Sequence, residues 1–71
     1  MKTYIVIELQ TNEQGQTANI VTAYNDEGQA YSKYHAILSA AAVSSVYRHA
    51  AVILDATGIQ VAQYCFEHEE A

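Results

Sequence analysis

Hydrophobic and polar positions change period twice along this chain, from two to about 3.6 and back to two, and each change marks an element boundary. Lys2 to Gln10 (KTYIVIELQ) is β-branched and aromatic, with Ile5, Ile7 and Leu9 on one face and Tyr4, Val6 and Glu8 on the other. This pattern predicts a strand. Thr11 to Gln16 supplies Asn12 and Gly15 for a reversal, and Thr17 to Tyr24 alternates again with Ala18, Ile20, Thr22 and Tyr24 sharing a face, so the two segments form a hairpin. Asp26 to Ser45 follows a helical period. Asp26 is placed to cap its start, Gln29 stands three residues on as in a capping box, and Glu27 puts a negative charge where the helix dipole favours it. Ala30, Tyr34, Ile37, Leu38 and Ala41 form the inward stripe, with Tyr31 and Ala42 at its margins. The opposite side carries Ser32, Ala36, Ser39, Ala40 and Val43, small and weakly polar where a solvated helix would show Glu and Lys.

After the helix, His49 to Asp55 (HAAVILD) is almost continuously apolar, as a strand in the middle of a sheet would be. Asp55-Ala56-Thr57-Gly58 is a short turn, and Ile59 to Glu67 completes a second hairpin. The order is ββαββ in a single α+β domain spanning residues 1–71. A right-handed crossover through the helix, with the two most apolar strands in the centre, predicts a four-stranded antiparallel sheet of order 2-1-3-4 with the helix on one face. The expected helix contact is Tyr34, Ile37 and Ala41 over Ile5, Ile7 and Ile53, which leaves a share of Tyr4, Val6, Tyr64 and Phe66 on the uncovered side.

Size sharpens the meaning of that uncovered side. A 71-residue chain buries only about 60% of its unfolded surface, and one cysteine provides no internal disulfide, so association between copies is the cheapest extra support. A lone cysteine also fits a reducing compartment, and the expected location is cytoplasmic. Glu8 interrupts the opening residues, no small-residue cleavage site follows them, and no run approaches the roughly 18 apolar residues of a membrane span. The formal charge is −5, with Lys2, Lys33 and Arg48 as the only fixed cations. This argues against nucleic acid, whose binding rests on clustered cations. Glu67, Glu69 and Glu70 read as a solvated tail.

Little in the chain suggests chemistry. Cys65 and His68 have C-x-x-H spacing, with His35, His49 and the terminal glutamates as further donors, but the second ligand pair of a zinc site is missing. The expected metal and cofactor content is none. Cys65 on a strand, without an oxyanion loop or an acidic residue to orient a base, reads as a packing residue, and no catalytic residue is assigned. His35 reads as a hydrogen-bonded residue at the border of the inward stripe. Six tyrosines serve equally as interface residues or as ordinary sheet residues.

The run KYHAILSAAAVSS (Lys33 to Ser45) followed by HAAV (His49 to Val52), with YIVIE (Tyr4 to Glu8) near one end and CFEHE (Cys65 to Glu69) near the other, resembles a family of short uncharacterised proteins of gut Firmicutes. Some of these are encoded among prophage structural genes. The resemblance covers nearly the whole chain and implies an intracellular accessory protein or one associated with a virion. It carries no catalytic or ligand residue.

The leading expectation is a non-enzymatic module acting through protein contacts, foremost as a homo-oligomer, with another protein of a phage particle as a further partner and with neither nucleic acid nor membrane bound. Its candidate interface residues are Tyr4, Val6, Tyr64 and Phe66 on the sheet and Ala36, Ala40 and Val43 on the helix back. The rival is a small-molecule or regulatory domain with a ligand between sheet and helix or between subunits.

Overall fold

The computed structural model describes residues 2–68. Its elements are β1 (Tyr4–Thr11), β2 (Thr17–Tyr24), α1 (Glu27–Ala42), β3 (Arg48–Asp55) and β4 (Gln60–Glu67). The strands form one antiparallel sheet of order β2-β1-β3-β4, with α1 packed on one face, chiefly against β3 and β1. Among the described residues no helix is long and apolar enough to cross a membrane.

Both hairpins close with the same turn. Asn12 Oδ1 accepts from the N–H groups of Gln14 and Gln16, and Asp55 Oδ1 accepts from those of Thr57 and Ile59. In each, the glycine three residues on donates its N–H back to the carbonyl of the Asx residue, and Gly15 and Gly58 take φ of 84° and 89°. An Asx side chain satisfies the exposed amides of the reversal while glycine supplies the left-handed residue at no steric cost.

Asp26 caps α1 from extended backbone, accepting the Gln29 N–H at 2.9 Å. The reciprocal half of the capping box, from the Gln29 side chain, is not among the hydrogen bonds of the described residues. The helix stops at Ala42 and not at Ser45. Val43 and Ser44 donate instead to the carbonyls of Ala40 and Ala41 in a tightened last turn, and the Ser44 hydroxyl accepts the Val46 N–H at 2.9 Å. A serine that offers its own oxygen to the backbone competes with helix continuation.

The inward stripe is Ala30, Tyr34, Ile37 and Ala41, with Tyr31 and Leu38 partly buried beside it, while Ala42 is exposed. The sheet side of the contact differs from the expected one. Val6 pairs with Ile53 and Ile7 with Val52, so Ile53 shares a face with Tyr4 and Val6 and not with Ile5 and Ile7. That face lies under α1, and Tyr4, Val6, Ala51 and Ile53 are buried there. Along Tyr4 to Ile7 both faces of β1 are apolar, so alternation gives no sign to the choice. Side-chain size and polarity decide it. The Tyr4–Val6 face meets Ala51 and Ala62 across the sheet and Ala30 and Ala41 on the helix, and these small residues let α1 approach closely. Two polar pairs also form on this face. The Tyr4 hydroxyl donates to Glu27 at 3.1 Å, and Glu8 meets His49.

Candidate interaction surfaces

The face turned away from α1 presents Ile5, Ile7 and Leu9 from β1, Ala50, Val52 and Leu54 from β3, Val21 and Ala23 from β2, and Cys65 from β4, as the register requires. Ile5, Ile7, Leu9, Val52 and Leu54 are each only partly covered by neighbouring side chains, and Val21 is 58% exposed. The strand charges on this side are Arg48 and Glu67. They sit at one corner and face each other at 3.9 Å, both more than half exposed, so the pair adds little stability. An apolar sheet face with no covering layer is the surface that a second layer would complete.

The sheet residues expected on that side lie elsewhere. Tyr4 and Val6 are core residues beneath α1. Tyr64 and Phe66 pair with Ala51 and His49, so they too are on the helix side of the sheet, toward its β4 margin. There Tyr64 is 53% exposed and its ring meets Phe66 at 4.9 Å edge-on. The helix-back candidates are exposed: Ala36 and Ala40 present only methyl groups, and Val43, the C-cap residue just past α1, is an isolated isopropyl group that is 87% exposed. Of the six tyrosines, Tyr4 and Tyr34 are buried and Tyr24 and Tyr31 pack against the core, which absorbs most of the aromatic signal into folding.

One polar cluster sits within the sheet–helix layer. The His49 Nε2–H donates to Glu8 Oε2 at 2.6 Å, and the Gln10 amide donates to the same oxygen at 3.1 Å. The hydrogen bond from His49 holds the Glu8 carboxyl below its usual range. Partial burial opposes the shift, while the Gln10 amide and the charge of Lys33 add to it. His49 is 4% exposed, and its Nδ1 is buried without a partner. At the opposite end of the sheet, the Thr57 hydroxyl and the Ile59 amide lower the Asp55 pKa as part of the turn. Burial, and then the bond to Glu27, raises that of Tyr4.

Cys65 and His68 do not converge. Cys65 is on the open face, whereas His68 stacks on Phe66 on the helix side and its Nε2–H donates to the Ala41 carbonyl at 2.7 Å. His68 therefore gives the Ala41 carbonyl at the C-terminus of α1 a second donor beside the Ser44 N–H. Nothing in the local sequence signals this role, because the partner lies 27 positions away. Among the described residues no group of three or more His, Cys, Asp or Glu side chains is placed to hold a metal ion. His35, expected to be hydrogen-bonded at the stripe's border, is exposed with its ring against Tyr31 and Tyr34. Glu67 belongs to β4, and Glu69 and Glu70 lie outside the described residues.

Two open concavities lie at the ends of the sheet and not between sheet and helix. One, of about 610 Å³, is bordered by the first turn and by Ser45, Val46 and Tyr47. The other, of about 450 Å³, is bordered by Tyr4, Glu27 and the second turn. The sheet–helix layer itself is filled, with Ala30, Ala41, Ala51 and Ile53 fully buried. Comparison of the chain with protein-family models, with curated proteins and with solved structures gives no match.

Proposed function

We propose that this chain is a non-enzymatic interaction module that self-associates by burying its open sheet face against the same face of a second copy. The observation that carries this reading is the row Ile5, Ile7, Leu9, Val52 and Leu54 on a face that no element among the described residues covers. Two sheets stacked face to face bury such rows about 10 Å apart, as in a sandwich. Four strands about 4.8 Å apart and eight residues long at about 3.3 Å each give a face on the order of 500 Å². Two copies would then bury about 1,000 Å², the lower bound for a specific interface. The resemblance to prophage-associated proteins fits an accessory role of this kind.

Ile7 and Val52 are cross-strand partners at the middle of the face. Ile7→Lys should leave the fold intact, remove the face-to-face contact and so lower the mass below the parent's in sedimentation at high micromolar concentration. A parent that sediments as a monomer there, or an Ile7→Lys variant that assembles like the parent, would remove the reading.

A further inference from the structure

The two edges of the sheet differ in how they are protected. β4 breaks register between Ile53 and Leu54 on its partner strand and carries Glu67. β2 has neither feature. Its sequence, TANIVTAY, contains no charge, proline or glycine, and it pairs with β1 without a bulge over all eight residues. Ile20 is 56% and Val21 58% exposed. Natural sheets blunt their edges with lysine, proline, a bulge or a covering element, because a bare edge is a template for another strand. Among the described residues none of these is present at β2.

Which backbone groups are free follows from the pairing. The Asn12 N–H donates to the Gln16 carbonyl at 3.0 Å at the base of the turn. Hydrogen-bonded and non-hydrogen-bonded pairs alternate along an antiparallel ladder. Counted from that bond, Ala18, Ile20, Thr22 and Tyr24 face β1 with their amides and carbonyls. Thr17, Asn19, Val21 and Ala23 therefore point theirs out of the sheet.

We propose that β2 is a pairing edge whose partner is β2 of a second copy, antiparallel about a twofold axis at Val21, so that two four-stranded sheets join into one of eight strands. The free groups are complementary to themselves in that register. Val21 exchanges bonds with its own symmetry mate, Asn19 with Ala23, and between them Ile20 lies beside Thr22 on the helix-side face, one β-branched side chain against another. Charge does not oppose a second copy at this place. Each chain carries −5, so copies repel overall, but β2 brings no acid of one chain opposite an acid of the other along the paired segment. The contact uses backbone at the sheet's rim and stands independently of the open face.

The test has a spectroscopic arm and a covalent one. On concentrating the parent from low to high micromolar, the amides of Asn19, Val21 and Ala23 should slow in hydrogen exchange by about tenfold or more, while the exposed Glu13 amide should not. Asn19→Pro removes one outward N–H and should abolish that change. In a Cys65→Ser background, Val21→Cys should form an interchain disulfide under mild oxidation, because Cα atoms about 5.5 Å apart in a hydrogen-bonded pair lie within disulfide reach. Ser32→Cys on the helix back should not. Protection that is absent, or that survives Asn19→Pro, overturns the proposal, and so does a Val21→Cys yield no higher than the Ser32→Cys control. If Asn19→Pro fails to fold, the cross-link decides. Ile7→Lys, which opposes face stacking, should leave the Val21→Cys cross-link in place, and its loss there would assign the contact to the face and overturn the edge.

Discussion

Single side chains do their most specific work at the two ends of the layer between helix and sheet. Glu8 is only 16% exposed and is held ionised by His49. Its folded-state pKa lies below the ordinary value of 4.5, so the unfolded chain takes up the proton first as pH falls. The stability it contributes is complete above about pH 4.5 and is lost as pH drops through the folded value. Glu8→Gln should therefore melt with a flatter pH dependence than the parent between about pH 5 and 3, read as the difference between the two so that the remaining acids cancel. Glu8→Ala should cost more, about 1–3 kcal/mol at neutral pH, because it leaves both nitrogens of a buried imidazole without partners. A Glu8→Gln curve parallel to the parent's would show that the pair is formed in neither state or in both. Neither residue declares this role in sequence. Glu8 and His49 are 41 positions apart, and only the register brings them together.

At the scale of the element, α1 is held by a narrow stripe. Ile37 is 5% exposed and is the largest aliphatic side chain of α1 in the core cluster. A domain of this length has a total margin of about 4–10 kcal/mol. Ile37→Ala should cost roughly 2–5 kcal/mol as a large-to-small change in a packed core, whereas Ser32→Ala on the exposed back should stay within about 0.5 kcal/mol. Thermal melts that ranked the two the other way would mean that the helix lies rotated on the sheet. The stripe was legible from the 3.6-residue period, because Ala30, Tyr34, Ile37 and Ala41 recur on one side whatever lies beneath them. The helix's end was less so. Ser44 and Ser45 bring no Gly or Pro to mark a stop, which instead involves a serine hydroxyl and a histidine arriving from just past β4.

At the scale of the whole molecule, one face and one edge lack partners among the described residues, and each is self-complementary about its own twofold. Together they would give assemblies larger than a dimer. We expect the parent to reach a higher mass than either Ile7→Lys or Asn19→Pro, each single variant to stop at a dimer, and the double variant to be monomeric by light scattering. A double variant that still assembled would point to a third surface, with the exposed small-residue back of α1 next in line.

The sequence by itself determined the ββαββ order, the helix's inward side, both turns and the central place of β1 and β3. Each of these follows from local periodicity, turn chemistry or the apolarity of one segment. Only the tertiary structure decided which face of the sheet the helix covers. Tyr4-Ile5-Val6-Ile7 is apolar on both sides, so the choice fell to contacts between distant residues, Ala51 and Ala62 accommodating an alanine-rich helix and His49 receiving Glu8. That choice places Tyr4 and Val6 in the core and leaves Ile5, Ile7 and Leu9 as the open face, because a strand's side chains alternate and a single decision of face moves all of them at once.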